Sequence, residues 1–496
     1  MSDAYKPIIE NLLETYAAPA ICLYRPYPPV HPVEGLSKFG GLPNLPTEIS
    51  WPRGVDPYAK HFRGRSDREW HDAPPLHFLA QIDCGELPDV NPALPEKGML
   101  FFFARLDEEC VWDDDAQPHD GTRVIYVADF DRDTPIRQPP EDIWPIGVRG
   151  SPAAMTLDDD AKQPMMRGPD RTVLNAQELV VVPEWPMKCA AFESYPDPQH
   201  FTYDPVDGVA PEDKYEFGKA YGAARSARVS ENLVQATGIR LQPDTPPRNR
   251  SHYENLVHSA YEKLLWDHLP HNLKQRLPII AAFPQNIAAH LCHAIIYRQK
   301  QLERDPNRGS ATALTKLQKH LLQAETWMRL CARLDPGETL PEMMADGFVR
   351  FLDQVANDTY TFDTTQDGVV RPYTRELVSL LDPYIDAMMN VARLAASDGV
   401  LCHALPDGFF VYLDFLSQAR NPLRSPSHDT PHQMLGHVLS CQNALSLDDG
   451  EVMLLHLYSD RALRFCWWDV GEVTFMIEAA DLQERKFDRA WATIQG

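Results

Sequence analysis

Several features that would place a protein in a class at once are missing from this sequence. Its nine cysteines are odd in number and scattered, with no C-x-x-C pair, so we expect neither a disulfide framework nor a cysteine-rich zinc site. No uninterrupted apolar stretch approaches the roughly 20 residues that a membrane helix needs. Residues 1–16 also lack a basic leader followed by an apolar run, which a secretion signal would have. These absences predict a cytoplasmic protein.

Positive charge is also scarce. The chain has 47 basic and 71 acidic residues, which gives a formal net charge of −24. Such a surface repels phosphate backbones and anionic lipid, so we expect no nucleic acid and no membrane as partner. A basic protein partner would fit this charge, although acidity also serves solubility.

Motifs for nucleophilic or nucleotide chemistry are absent as well. The chain has no G-x-S-x-G elbow, no Walker loop and no dinucleotide fingerprint, and we therefore predict no cofactor. Two groups of histidines could act as metal ligands: His428, His432 and His437 beside Asp429, and His290 and His293 around Cys292. Such spacings are common by chance, and neither group contains an H-E-x-x-H motif. The sequence therefore predicts no metal site.

The distribution of proline along the chain separates its parts. None of the 44 prolines follows residue 431, and proline is dense enough in the first 200 residues to exclude long helices there. Apolar, β-prone runs lie between these prolines, at residues 20–24, 76–82, 99–106, 124–130 and 179–182. We interpret them as strands of largely antiparallel sheet. Residues 1–209 are therefore predicted to form a β-rich half.

The middle of the chain has the apolar period of helices. Ser251 and Glu254 form a capping-box pattern at the start of one helical stripe. The helical stripes lie at residues 253–265, 287–295, 314–331, 348–355 and 384–391. This pattern predicts an α-helical insertion over residues 210–427.

Strands return in the last segment, residues 428–496. Apolar runs at residues 451–458, 462–468 and 472–477 are separated by turn residues. The spacing of four apolar residues predicts a closing helix; these are Phe487, Ala490, Trp491 and Ile494. A glycine turn, an apolar strand leading into aspartate and an aromatic strand follow in the same order as in the first half, which indicates an internal duplication. The predicted fold is α+β, with two similar, largely antiparallel β-rich halves packed together and interrupted by the helical insertion.

These ordered motifs resemble the signature of the YwqG-like family, a bacterial domain of unknown function. The motifs are Phe39-Gly40-Gly41-Leu42-Pro43, Trp51-Pro52 and Leu79 to Asp83, then Leu435-Gly436, Ser459-Asp460 and Trp468-Asp469-x-Gly471. The resemblance implies an α+β fold of two similar halves, and it implies no reaction. Where the family usually has Gln before Asp-Ser-Asp, this chain has His456-Leu457-Tyr458-Ser459-Asp460. One carboxylate of the acidic set is therefore missing.

Polar residues at equivalent strand ends form a candidate binding cleft. Its members are Gln81, Asp83, His432, Gln442, Asp460, Trp468 and Asp469. Carboxylates brought together can share a proton or bind a divalent cation, whereas separate ones commonly cap turns. The glutamine amides either face a ligand or satisfy backbone groups. Four glycines are predicted to form structural turns, with positive φ or close backbone approach; they are Gly40, Gly41, Gly436 and Gly471.

Besides a scaffold that oligomerises through the helical insertion, two classes of function fit this sequence. The first is a non-enzymatic protein- or ligand-binding protein, with the helical insertion as its specificity element; an immunity or antitoxin protein that neutralises a basic protein is one concrete form. The alternative is a hydrolase or metal-dependent enzyme that uses carboxylates in a cleft between the two halves. The two classes differ in geometry, because only the enzyme requires that the candidate side chains converge.

Overall fold

The structure is a computed structural model that forms two compact units. The first unit comprises Met1–Asp158, Gln177–Gln242 and Gln418–Gly496, and the second comprises Asp159–Ala176 and Pro243–Ser417. The residues described are 5–26, 35–54, 73–106, 121–144, 146, 166–167, 173–174, 180–203, 205–237, 280–304, 311–335, 337–366, 369–377, 395–396, 399–404, 432–437, 440, 450–460, 463, 465, 467 and 471–495.

Fifteen strands and eight α-helices are described. The strands are β1 (Ala18–Tyr24), β2 (Lys38–Phe39), β3 (His77–Asp83), β4 (Met99–Ala104), β5 (Thr122–Val127), β6 (Met166–Arg167), β7 (Val173–Leu174), β8 (Trp185–Pro186), β9 (Lys188–Ser194), β10 (Thr359–Gln366), β11 (Val369–Glu376), β12 (His432–Met434), β13 (Glu451–Tyr458), β14 (Glu472–Glu478) and β15 (Trp491–Gln495). The helices are α1 (Lys6–Thr15), α2 (Pro198–Tyr203), α3 (Lys214–Thr237), α4 (Ala282–Glu303), α5 (Ala311–Cys331), α6 (Glu342–Asn357), α7 (Gly399–Ala404) and α8 (Ala479–Gln483).

Two antiparallel sheets build the first unit. Sheet B has the strand order β5-β4-β3-β2-β8, and sheet A has the order β15-β14-β13-β12-β1-β9. The predicted α+β fold with two similar antiparallel halves is thereby confirmed. The structure also shows an exchange of strands between the halves. β1 and β9 come from the N-terminal part of the chain and complete the sheet of the C-terminal half.

The two sheets repeat each other residue by residue. β3 carries a bulge between Phe78 and Ala80, and β13 carries a bulge between Met453 and Leu455. Lys38 pairs with Gln81 and Gln433 pairs with His456, so these positions correspond. After the two strands, the Cys84 N–H donates to the Gly98 oxygen (2.9 Å) and the Ser459 N–H donates to the Gly471 oxygen (3.0 Å). The duplication inferred from motif order therefore extends to the register of the strands.

The inner faces of the sheets meet at a pair of corresponding aromatic rings. Phe102 of β4 and Phe475 of β14 contact each other edge to face, with 5.4 Å between ring centroids. Both rings are fully buried. Because residues directly opposite each other on antiparallel strands point to the same face, Ala80 and Leu455 lie beside these rings. The inner core of the unit is therefore apolar around this pair of rings.

The outer faces of the two sheets are covered differently. On sheet B, an apolar cluster covers the strands; it consists of Leu45, Trp51, Leu76, Phe78, Met99, Phe101 and Phe103. On sheet A, helices cover β1 and β9 through Ala20, Cys22 and Phe192. In α1 the proline lies in the first turn, where its missing N–H costs nothing, and the helix buries Ile9 and Leu13.

The second unit combines helices with a β-hairpin. α4 and α5 pack against each other, and α5 also packs against β10. The stripes predicted at residues 287–295, 314–331 and 348–355 lie in α4, α5 and α6, whereas those at 253–265 and 384–391 lie outside the described residues. The hairpin of β10 and β11 was not predicted. α3, which lies in the predicted insertion over 210–427, packs within the first unit.

Three predicted elements are wrong. The closing helix is instead a 3-10 turn over Phe487–Arg489 followed by β15, because β15 pairs with the free edge of β14. The run at 462–468 forms only the bridge between Asp460 and Phe465 among its described residues. Residues 180–182 are not a strand; the strands follow at β8 and β9, where β9 alternates buried and exposed residues.

Candidate functional site

Asp460 is the centre of a buried polar cluster in the first unit. Its Oδ2 accepts a hydrogen bond from Arg25 Nε at 2.7 Å, and His432 Nε2 lies 3.2 Å from the same oxygen. All three side chains are buried. Arg25 follows β1, His432 begins β12 and Asp460 lies two residues after β13. Adjacent strands thus bring together two members of the predicted cleft, Asp460 and His432, with a third residue that the sequence did not single out.

Charge pairing keeps Asp460 ionised. Burial alone would raise the pKa of this carboxyl, but the Arg25 guanidinium and the hydrogen bond from His432 hold the pKa below its usual range. A buried ion pair contributes little net stability, whereas removal of one partner leaves an uncompensated charge and costs about 3–5 kcal/mol. The cluster is therefore a structural requirement of sheet A.

Both ring nitrogens of His432 are engaged. The Tyr458 N–H donates to His432 Nδ1 at 3.1 Å. Because Nδ1 accepts this bond, Nε2 carries the proton and donates it to Asp460. No ring nitrogen remains to remove a proton from a substrate. The Asp460–His432 pair consequently lacks the arrangement of a general base.

Arg25 also joins sheet A to sheet B. Its guanidinium carbon lies 4.9 Å from the ring centroid of Trp185, which belongs to β8. The Trp185 indole N–H donates to the Pro26 oxygen at 3.3 Å. Arg25 is therefore held between a carboxylate and an aromatic face, an arrangement that suits a planar guanidinium.

Gln81 is satisfied by its neighbours in sheet B. Its Oε1 accepts the Asn44 N–H at 2.9 Å. Its Nε2 donates to the Leu36 oxygen at 2.8 Å and to Asn44 Oδ1 at 3.0 Å. The Gln81 amide therefore fixes the segments before and after β2. Of the two roles considered for this residue, this is the structural one.

Asp83 caps a turn. Its Oδ1 accepts the Gly85 N–H at 2.9 Å, at the start of a 3-10 turn over Cys84–Glu86. Its Oδ2 pairs with Arg132, whose side chain is 59% exposed. By the strand register, Asp83 corresponds to Tyr458 and not to Asp460. The two carboxylates are thus held by different partners.

Three members of the predicted cleft have no described position. Gln442, Trp468 and Asp469 lie outside the described residues. Of the histidines considered as metal ligands, His428 lies outside them too. Within the described part of the chain, no group of three or more His, Cys, Asp or Glu side chains could hold a metal ion.

The predicted glycine turns occupy corresponding places in the two halves. Gly40 and Gly41 have φ of 56° and 70°, and Leu435 and Gly436 have φ of 61° and 70°. A Cβ at Gly40 would collide with the Pro183 carbonyl, and one at Gly436 would collide with Ser194 Oγ. Gly471 is buried, and its N–H donates to the Trp467 oxygen at 2.7 Å.

Besides Arg25, the sequence did not single out His456 as a buried polar residue. His456 is 0% exposed, and its Nδ1 lies 2.9 Å from Thr474 Oγ1, while its Nε2 has no hydrogen-bond partner among the described residues. Burial is the main cause that lowers the pKa of His456, to about 3, so the ring is neutral at neutral pH. An unsatisfied buried group costs about 1–3 kcal/mol.

Comparison with the corresponding position in sheet B shows that the polar pair at His456 is unusual. Gln81 and Phe101 stand opposite each other in sheet B, and His456 and Thr474 take their places in sheet A. Phe101 belongs to the apolar cover of sheet B, whereas Thr474 is hydroxylic. The outer face of the second half has therefore diverged toward buried polar groups. The departure of this chain at His456–Tyr458 was the available signal.

Two cysteines of the first unit are poor nucleophiles. Burial raises the pKa of the Cys84 thiol to about 12, and the nearby Asp83 charge raises it further. Burial likewise raises the pKa of Cys189 to about 12. Because the thiolate is the reactive form, these residues are inert at neutral pH.

A group of exposed polar side chains lies on the hairpin of β10 and β11 in the second unit. Every residue of β11 is exposed. We call Arg371, Tyr373 and Arg375 the hairpin arginine face. They stand opposite Thr364, Phe362 and Tyr360 in the ladder, so their side chains share one face.

Comparison with known proteins identifies the family. The model of a domain of unknown function, DUF1963, matches residues 37–242 and 290–496. These segments cover most of the chain, and the protein therefore belongs to this family. The second segment begins at residue 290, so the match includes much of the helical region that the motifs had left outside the resemblance. No curated protein matches the chain.

None of the described helices is both long and apolar enough to cross a bilayer.

Proposed function

We propose that this protein is a non-enzymatic binding protein of the YwqG-like type. It acts in the cytoplasm and holds a protein partner through its helical insertion, residues 210–427. The duplicated β-rich domain serves as the rigid body that carries this insertion.

The observation that carries the proposal is that the chain itself pairs the described carboxylates of the candidate cleft. The Asp460 carboxylate is paired with Arg25 and His432, and Asp83 is divided between a turn amide and Arg132. A catalytic acid or base needs an atom within reach of the substrate proton. The described carboxylates serve structure instead, which favours binding over acid–base chemistry.

The surface of the second unit supports the location of the binding site. The hairpin presents Val369, Val370 and Tyr373, which are 50%, 56% and 48% exposed. Large apolar side chains that remain in water beside unpaired cations are typical of interaction surfaces. The described residues of the candidate cleft are paired and buried, so they offer no such surface to a partner.

The test uses the full chain and hydrogen–deuterium exchange. A partner captured from the source cells is purified, and its complex with the full-length protein is confirmed by light scattering at a defined stoichiometry. We expect partner binding to protect amides within residues 280–404. Protection confined to the first unit, or failure to obtain any stoichiometric complex, would overturn the proposal.

A hydrolase or metal-dependent enzyme is the second candidate, and one observation favours it. The neutral imidazole of His456 has an Nε2 with no hydrogen-bond partner among the described residues, and a neutral imidazole nitrogen is a common metal ligand. Elemental analysis of the purified protein and of His456→Gln distinguishes the two. Stoichiometric metal that is lost in the variant would support the enzyme, and metal-free protein would support binding.

A further inference from the structure

The hairpin separates its charges between two faces. On the face of Arg371, Tyr373 and Arg375, the opposing residues of β10 are uncharged. Both carboxylates of the ladder lie on the other face, where Asp363 stands opposite Pro372 and Glu376 stands opposite Thr359. In a chain with 71 acidic residues, a ladder face with arginine and no carboxylate is a local reversal of charge.

The two arginines are available to a partner. Both are exposed, and neither takes part in an ion pair, hydrogen bond or ring contact that involves a described residue. Tyr373 lies between them and contacts Phe362 edge to face, at 5.6 Å between centroids. The face therefore offers two guanidinium groups on either side of an aromatic ring, which suits carboxylate recognition.

Buried aromatic residues hold this face in place. Phe362 and Tyr360 are 5% and 1% exposed. The Arg298 guanidinium of α4 lies 4.7 Å from the Phe362 ring centroid, and its Nε donates to the Tyr360 hydroxyl at 3.1 Å. An isolated two-stranded hairpin is marginally stable, but this one is anchored to helices. Little ordering is then needed when a partner binds.

One edge of β11 pairs with no described strand, and it is less suited to binding than the face of the hairpin. The Leu377 N–H donates to the Asp358 oxygen at 2.8 Å, which makes 358 and 377 a hydrogen-bonded pair. Hydrogen-bonded and non-hydrogen-bonded pairs alternate in an antiparallel ladder, so Pro372 points its nitrogen toward the free edge. A proline there removes a donor and opposes the addition of another strand. A partner would therefore lie across the arginine face.

We infer that the hairpin arginine face docks an acidic peptide segment of the protein partner. This inference rests on the proposed function and names the chemistry of its partner. Carboxylates of the segment pair with Arg371 and Arg375, and its side chains pack on Tyr373. The net charge of the chain does not prevent this contact, because charges beyond about 10 Å are screened at ordinary ionic strength.

Fluorescence anisotropy with the full-length protein tests the inference. The probe is a labelled poly-glutamate peptide, with poly-lysine and a single-stranded DNA oligonucleotide as alternatives. We expect poly-glutamate to bind and added salt to weaken the binding. Arg371→Gln combined with Arg375→Gln should reduce affinity about tenfold, the effect of two largely exposed charge pairs.

The matched control removes two positive charges elsewhere in the second unit. Arg333→Gln combined with Arg350→Gln alters two exposed arginines outside the hairpin and should leave the affinity within about twofold. Equal losses in both double variants would overturn the inference, as would tighter binding of DNA than of poly-glutamate. If the purified partner binds the Arg371/Arg375 variant unchanged, the inference fails while the proposed function stands.

Discussion

At the scale of single residues, Arg25 has the largest predicted effect. Arg25→Met would remove the guanidinium partner of the buried Asp460 carboxylate and should lower the free energy of unfolding by about 3–5 kcal/mol. Urea denaturation measures this loss. Arg132→Met is the matched control in the other half, because the Arg132 side chain is 59% exposed although Asp83 is buried, and water that replaces the guanidinium should keep the loss to about 1 kcal/mol. Equal losses would contradict the assigned role of the buried cluster.

His456 governs a second residue-scale effect, the dependence of stability on pH. Its folded pKa of about 3 lies below the ordinary value of about 6.5, so the unfolded chain binds the extra proton. The free energy of unfolding should therefore fall as the pH drops from about 6.5 toward 3, by up to about 1.4 kcal/mol per pH unit. Burial also lowers the pKa of His437, to about 4, and this residue adds to the same slope.

Replacement by the glutamine of the corresponding position in sheet B tests this effect. His456→Gln should reduce the pH slope by the equivalent of one proton, as measured by urea denaturation at several pH values. His403→Gln, at an exposed position, controls for the substitution itself. An unchanged slope in His456→Gln would show that His456 does not carry the titration.

Residues of the cluster could be predicted only in part. Asp460 and His432 were found because each stands beside a motif of the second half. Arg25 could not be found, since 435 residues separate it from Asp460 and only the entry of β1 into sheet A brings the two together. His456 was noted as a departure from a family pattern, but its burial depends on cross-strand neighbours that no local pattern contains.

At the scale of elements, the glycine turn after β12 makes a prediction. Gly436→Ala combines a positive φ with a collision against Ser194 and should lower the free energy of unfolding by about 2–4 kcal/mol. Gly450→Ala has the same φ of 70° but open space around the added methyl group, so it should cost about 1 kcal/mol. Thermal denaturation of both variants separates strain from collision, and equal costs would exclude the collision.

Strands and helices were predicted best where the spacing of apolar residues in the sequence matched the pattern of burial in the structure. β3 and β4 are continuous buried runs, and α4 to α6 follow apolar stripes. The closing helix failed because Trp491 and Ile494 have helical spacing by chance, while pairing with β14 decides their conformation. The β10–β11 hairpin was missed because its second strand is wholly exposed and therefore has no apolar alternation.

At the scale of the whole molecule, the chain order hides the architecture. The N-terminal strand β1 and the later strand β9 complete a sheet whose other strands lie beyond residue 431. The first unit can therefore form only when three distant segments of the chain assemble. Motif order revealed the duplication, but an exchange of strands between halves leaves no periodic trace in the sequence.

Two compact units within one chain predict more than one unfolding transition, because each has its own core. In calorimetry, Arg25→Met should lower only the transition of the first unit. Asp358→Asn should lower only the other transition, by a few degrees, because Asp358 pairs with Lys316 and with His320 (2.9 Å) inside the second unit. The pKa of Asp358 is about 2, since its bonds to Lys316 and His320 outweigh burial, so the carboxylate is charged at neutral pH. A single transition lowered by both substitutions would instead mean that the two units unfold as one cooperative body.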